Sequence, residues 1–225
     1  LAYKNLGQDL PILLRNQISV VSTSDAGNGI GYTGFRIRGT AGTSVNVMLN
    51  GVPYNDSESQ GTFFVNVPDL TSSASQIVIQ RGVGTSSNGV SAFGASVNVI
   101  SKDPSDEFSV KSDDSYGSFN TYKYSAEINS GKFWKNRLSV VGIYTHIHSD
   151  GYIDRASSNL YSYNFSALFQ EKNTELRFNL SSCLIQFFCS VAYFSNVEVR
   201  FDTNFLFIGS ANFFDKFIDG FVFNQ

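Results

Sequence analysis

Val45-Asn46-Val47-Met48-Leu49-Asn50-Gly51-Val52-Pro53-Tyr54 is the stretch from which the fold of the first hundred residues is read. Five residues of strand character run into Asn-Gly, the strongest two-residue hairpin signal, because both turn positions call for positive φ. Val52-Pro53-Tyr54 starts the return strand, and the polar stretch 55–61 behind it is a loop. Upstream, Phe35-Arg36-Ile37-Arg38 and residues 18–21 read as strands. Leu6, Leu10, Leu13 and Leu14 recur at helical spacing, so a short amphipathic helix is expected over 8–16 with Pro11 in its first turn. Downstream, Ile77-Val78-Ile79-Gln80-Arg81 and Ser96-Val97-Asn98-Val99-Ile100 are two further strands, separated by a Gly/Ser-rich turn at 82–89. Thirteen of the 19 glycines lie in residues 1–102, which breaks this region into short elements and turns. The expectation is an α+β domain over residues 1–104, closing at Lys102-Asp103-Pro104.

Beyond Pro104 glycine thins out and period-2 alternation takes over. Tyr122, Tyr124, Ala126 and Ile128 share one face, with Thr121, Lys123, Ser125, Glu127 and Asn129 on the other. Tyr161, Tyr163, Phe165, Ala167 and Phe169 stand opposite Ser162, Asn164, Ser166 and Gln170, and Leu176, Phe178 and Leu180 oppose Glu175, Arg177 and Asn179. Residues 137–148 are strand-like with a less regular pattern. Runs of about ten residues with one aromatic face suit a lipid-facing barrel. A half-buried antiparallel sheet in water alternates in the same way, and periodicity does not separate the two.

Composition narrows the classes. No run approaches the ~18 apolar residues of a membrane helix, yet a mean hydropathy of −0.08 is compatible with membrane strands. Aromatic residues at 15% argue against disorder, and a net charge of −3 leaves no basic surplus for nucleic acid. The sole methionine is Met48 and the chain opens Leu1-Ala2-Tyr3-Lys4 without a signal peptide, so a processed chain or a fragment is expected. Residues 183–225 stand apart: 11 of the 21 phenylalanines fall there, with few turn signals. Val197, Val199, Phe201, Phe205 and Phe207 still alternate with polar neighbours. The block is otherwise left unassigned, with an out-of-frame or truncated end as the expectation.

Little in the chain points to catalysis. Gly29-Ile30-Gly31-Tyr32-Thr33-Gly34 is formally GxGxxG, but a strand follows it where dinucleotide binding requires a helix. His146 and His148 share a strand face without a third ligand, and Cys183 and Cys189 lack metal-ligand spacing, so neither metal nor cofactor is expected. Asp103, Asp106, Glu107, Asp113 and Asp114 lack calcium-loop spacing and read as a solvated linker face. With no nucleophile elbow, Walker loop or HExxH, no enzyme is expected and no catalytic residue is named. Arg36, Arg38 and Arg81 lie in or at the ends of apolar strands. A guanidinium covered there needs a carboxylate or carbonyl partner, whereas one on an exposed edge needs none.

Four segments in order carry a resemblance: Phe35-Arg36-Ile37-Arg38-Gly39; Val47-Met48-Leu49-Asn50-Gly51-Val52-Pro53; Ile77-Val78-Ile79-Gln80-Arg81-Gly82-Val83-Gly84-Thr85-Ser86; and Asn88-Gly89 through Phe93-Gly94-Ala95-Ser96-Val97-Asn98-Val99-Ile100-Ser101-Lys102. Together they resemble the plug domain of TonB-dependent outer-membrane receptors. Residues 105–182 resemble, more loosely, the first strands of the barrel. Asn50 stands where the family often has aspartate.

The resemblance implies an α+β plug followed by antiparallel strands of an incomplete transmembrane β-barrel in the outer membrane of a Gram-negative bacterium. It implies import of a scarce nutrient (iron–siderophore, cobalamin or oligosaccharide), with outer-membrane lipid around the barrel. The inner-membrane TonB complex would be the energising partner, its contact segment absent from this chain. Arg36, Arg38 and Arg81 would latch the plug to wall acids, Gly39, Gly51, Gly82, Gly84, Gly89 and Gly94 would serve its turns, and Asn55, Asp56, Glu58 and Gln60 would be apical ligand contacts. A plugged barrel has about 22 strands, whereas residues 105–225 suffice for roughly eight, so a fragment is expected. The alternative is a soluble β-rich binding or adhesion module with a plug-like domain.

Overall fold

A computed structural model of the protein describes residues 5–83, 93–171, 174–187, 189–201 and 205–209. The chain divides into two compact units. The first is Leu1–Lys102 with Ser115–Lys123 and Ile147–Asn159; the second is Asp103–Asp114, Tyr124–His146 and Leu160–Gln225.

In the first unit the leucine spacing yields only one turn of helix, α1 (Leu10–Leu13), against the expected 8–16. Pro11 stands in its opening turn, as its fixed φ allows, and Leu10, Ile12, Leu13 and Leu14 are all buried. Strands β1 (Val20–Ser24) and β2 (Thr33–Ile37) pair antiparallel, each shifted by about two residues from the sequence expectation. Strand β3 (Val45–Leu49) turns through Asn50 and Gly51, at φ +52° and +83°, into β4 (Val52–Pro53). This is the primed turn that Asn-Gly specifies. The Asn50 side chain has a second task, since its Oδ1 accepts hydrogen bonds from the Ser101 amide at 2.8 Å and hydroxyl at 3.1 Å. The aspartate common in the resemblance would offer the same acceptor.

A second one-turn helix, α2 (Leu70–Ser73), leads into β5 (Ala74–Arg81), and β6 (Ala95–Ser101) completes a four-stranded sheet in the order β4-β3-β6-β5. Strands β3 and β6 run parallel, which is why the chain between them must cross over. Leu10, Leu14, Val20, Phe35, Ile37, Val45, Val47, Phe64, Ala95, Val97 and Val99 form one core, with the Phe35 and Phe64 rings tilted at 5.4 Å between centroids.

The remaining strands are β7 (Phe108–Gly117), β8 (Thr121–Phe133), β9 (Leu138–Ser149), β10 (Ser158–Glu171), β11 (Thr174–Phe187), β12 (Cys189–Phe201) and β13 (Phe205–Gly209). They lie side by side in chain order as one open sheet, and two of them, β12 and β13, fall in the block that the sequence leaves unassigned. The acidic residues are all exposed: Asp103, Asp106 and Glu107 lie in the connection from β6 to β7 and Asp113 and Asp114 within β7, while Asp106 pairs with Lys132 at 2.8 Å and Asp103 with Arg177 at 2.7 Å. Strand formation brings to each of the last two acids a cation remote in sequence. Among the described residues no helix is long and apolar enough to cross a membrane, which says nothing of strands.

Gly94 precedes β6 with its Cα against Thr40, whose hydroxyl and Cβ occupy the place where a side chain would begin. Gly94→Ala is therefore expected to destabilise the first unit by about 2–3 kcal/mol, as overpacking does. Gly51→Ala meets only its positive φ, with open space beyond, and should cost about 1 kcal/mol. Urea titration monitored by pulse proteolysis checks both.

Candidate functional site

In the second unit the buried face of the strands carries serine, threonine and asparagine side chains, beside Val141, Ile143, Leu160 and Leu168, while aromatic side chains are exposed on the other face. On β8, Ser125 and Asn129 are buried while Tyr124 and Ile128 are more than half exposed. On β9, Ser139 and Thr145 are buried and Tyr144 is exposed; on β10, Ser162 is buried while Tyr163 and Phe165 are exposed. The buried hydroxyls satisfy one another, as Ser125 and Thr145 do at 3.1 Å. A sheet with one face in water has the opposite arrangement. Exposed aromatic side chains opposite a face that carries buried hydroxyls fit the wall of a barrel in lipid.

In the first unit a polar network is closed from water. Lys123 Nζ lies 2.8 Å from Asp69 Oδ1, with the two side chains only 3% and 1% exposed. The same oxygen accepts from Asn5 Nδ2 at 2.6 Å and the Ser72 hydroxyl at 2.7 Å, and Lys123 also donates to Ser72 Oγ at 2.9 Å. Asn5 Nδ2 and Ser72 Oγ thus complete the hydrogen bonding of one buried ion pair, which is the condition for such a pair to be tolerated. Asp69 adopts φ +55°, a conformation Asp tolerates better than most residues. Nearby, the 26–28 segment is held by the Tyr152 amide donating to Ala26 O at 3.0 Å and by Asn28 Nδ2 donating to Ser149 Oγ at 2.6 Å.

The comparisons join these features to a family. The family model described as "TonB-dependent Receptor Plug Domain" matches residues 4–96. That match covers less than half of the chain, in the segment that holds the four-stranded sheet. Solved structures extend the likeness into the strands. FpvA of Pseudomonas aeruginosa, bound to a heterologous pyoverdine and iron, aligns at TM-score 0.66 and 14% identity over 80% of this chain and 23% of its own. The copper transporter OprC aligns at 0.68 and 12% identity over 87% of this chain and 32% of its own. The alcaligin outer-membrane receptor FauA of Bordetella pertussis aligns at 0.60 and 16% over 86% and 31%. The chain thus spans between 23% and 32% of the length of these structures. At such identities the likeness establishes fold: a plug followed by antiparallel strands of a barrel that does not close here. No curated protein sequence matches the chain.

Within this plug, Arg36, Arg38 and Arg81 are exposed, and none forms an ion pair among the described residues. Arg38 lies across Gly82: its Nη1 is 2.7 Å from where a Gly82 Cβ would stand. Gly39, Gly51 and Gly82 occupy positive φ, Gly94 is required by Thr40, and Gly84 and Gly89 lie outside the described residues.

The loop at 55–61 divides by role. Asn55 is spent on backbone, accepting from the Val47 amide and donating to Val45 O and Gln60 O. Asp56 accepts from the Ser59 amide and hydroxyl at 2.7 and 2.8 Å, and these bonds, the amide first, hold its carboxyl below the usual range. Glu58 and Gln60 are exposed. In the glycine motif, the Gly29 amide donates to Ser24 Oγ and the Ile30 amide to Asn28 Oδ1, and β2 begins at Thr33, so the loop binds itself rather than a phosphate. His146 stacks on Tyr161 at 4.3 Å, and His148 stacks on Tyr122 while its Nε2 lies 3.3 Å from Asp150. Among the described residues no three potential metal ligands cluster.

Sequence reasoning missed Lys123 and Asp69. Lys123 stood on the polar face of an alternating run, the only available signal; its partner is 54 positions away. It also missed Asp9, a buried carboxylate whose Oδ2 accepts from Thr33 Oγ1 at 2.8 Å while its Oδ1 has no partner. Burial pushes Asp9 up to about 7; the Thr33 hydroxyl and Gly31 amide pull the other way, and the charge of Asp69 adds to the rise.

Lys123→Met is expected to cost about 3–5 kcal/mol, since it strands Asp69 without its counter-charge, and adding Asp69→Asn should recover a large part. A double-mutant cycle by urea unfolding measures both. Asp9 binds its proton more tightly folded than unfolded, so its contribution favours folding at low pH and is lost as pH rises from about 4 to about 7. Asp9→Asn should flatten stability over that window and raise it at pH 8, by at most about 4 kcal/mol. Unfolding midpoints from pH 4 to 8 test this.

Proposed function

We propose that this chain is the plug and opening wall of an outer-membrane receptor that imports a scarce nutrient, the plug gating the barrel. The observation that carries the reading is the joining of the plug-domain match at residues 4–96 to strands β8–β10, of 12–14 residues, which bury hydroxyl-bearing side chains on one face and expose aromatic ones on the other. Residues 1–104 serve as plug and 105–182 as the first barrel strands. The role is binding and gating, not catalysis, and the energy for transport comes from the inner-membrane TonB complex. Of the cargo classes, iron–siderophore is favoured over cobalamin or oligosaccharide, because the similar structures include receptors named for pyoverdine and alcaligin and the FrpB iron transporter of Neisseria meningitidis.

In this reading Arg36, Arg38 and Arg81 are available to acids on wall strands, and their exposure supports that role. Glu58 and Gln60 at the tip of the 55–61 loop, with Asn55 and Asp56 shaping it, are the side chains placed to meet cargo.

Membrane fractionation and uptake test the proposal together. The chain should partition with the outer membrane and require detergent, because exposed Tyr124, Tyr144, Tyr163 and Phe165 would otherwise associate. Uptake of labelled ferric siderophore should depend on it and cease in a strain lacking TonB. A chain that stays monodisperse in buffer without detergent is a soluble binding or adhesion module, and the receptor reading then fails.

A further inference from the structure

The two polar attachments described above share one segment. Asn5 donates from Nδ2 to Asp69 Oδ1, Thr71 Oγ1 and Ser72 Oγ at 2.6, 2.7 and 3.1 Å, and its Oδ1 accepts from the Gly7 amide at 3.1 Å. Gly7, at φ +95°, packs where a side chain would begin 3.4 Å from the Lys123 stem and 3.6 Å from Ile147. Two residues on, the Asp9 amide donates to Gly29 O at 2.9 Å, Gln8 Nε2 donates to Asn28 O at 3.4 Å, and Thr33 donates to the Asp9 carboxylate. Asn28 and Ala26 in turn carry the bonds to Ser149 and Tyr152. Five consecutive residues therefore bridge the Asp69–Lys123 pair and the 26–33 loop.

We propose that residues 5–9 act as a release catch: lifting them wets the Asp69–Lys123 pair and frees the 26–33 loop from Ser149 and Tyr152 in one step. The coupling follows from how each bond depends on its surroundings. The two hydrogens of Asn5 Nδ2 are shared among three acceptors around a nearly dry ion pair. Removing that cover lets water compete for both charges, and an ion pair that is strong when dry weakens several-fold when wet. The unpartnered oxygen of Asp9 sits in the same segment, a buried group that gains solvation when the segment leaves. The catch thus combines a hydrogen-bonded end at Asn5 with an end at Asp9 where one buried oxygen has no partner. As regulation of transport it rests on the receptor reading. As a coupling inside the fold it does not.

Hydrogen exchange on the detergent-solubilised chain tests the coupling without a transport assay. In Asn5→Ala the amides of Ser72, Gly29 and Tyr152, bonded to Asp69 O, Ser24 Oγ and Ala26 O, should exchange faster together, by about tenfold or more. The Asn50 amide, bonded to Val99 O in the four-stranded sheet, should keep its rate. Acceleration of Ser72 alone, or of all four amides alike, overturns the proposal. A clamp guards against a variant that fails to fold. Asn5→Cys with Ser72→Cys, in a chain whose Cys183 and Cys189 are replaced by Ser, should show slow exchange at Gly29 and Tyr152 when oxidised and fast exchange when reduced. Equal rates in the two states overturn the catch. If exchange switches with redox state while uptake is absent in both states, the catch stands and the receptor reading is what has failed.

Discussion

Buried hydroxyls on one side of the strands and exposed tyrosines on the other set the terms for everything else in this molecule. Strands in hydrocarbon must pair every backbone group with a neighbouring strand and show apolar side chains to lipid. The polar set is then turned away from lipid, where Ser125 and Thr145 satisfy each other. That same inward-facing row on β8 carries Lys123, which is why a lysine there could be buried at all. Transplanted to a soluble sheet, the same residues would leave an aromatic face in water.

The plug answers a different constraint. Its sheet is built from short strands around a core of valines, isoleucines and two phenylalanines, and the chain reverses so often that left-handed backbone is needed at several turns. Small residues permit this packing: Gly94 lets Thr40 approach β6, and Gly7 lets the chain lie on the Lys123 stem. Polar side chains in the plug are largely spent on its own backbone. Asn50 and Asn55 each close a loop, and the amides of the glycine motif are taken up by Ser24 and Asn28. The arginines Arg36, Arg38 and Arg81 and the tip of the 55–61 loop remain exposed.

The buried pair and the segment over it are held by shared hydrogen bonds. Asn5 and Ser72 both bond to Asp69, and Ser72 also accepts from Lys123, so the pair is enclosed by polar partners as well as by packing. Asp9 adds a cost that the fold carries at neutral pH, consistent with a segment held in place by its neighbours rather than by its own preference.

Local chemistry alone dictated the Asn50–Gly51 hairpin, the strands at 45–49, 77–81 and 96–100, and the alternation after residue 104, because turn conformation and side-chain period depend on adjacent residues. The plug motifs made the family visible in the sequence for the same reason: they are runs of neighbours. The short helix was overestimated because leucines that face a core need only one turn to reach it. Tertiary structure alone decided which face of the alternating strands is buried, since period 2 is identical for lipid and for water outside. It alone brought Lys123 to Asp69 and Asn5, and left Arg36, Arg38 and Arg81 exposed, because pairing between residues tens of positions apart depends on how the strands stack and not on any local preference.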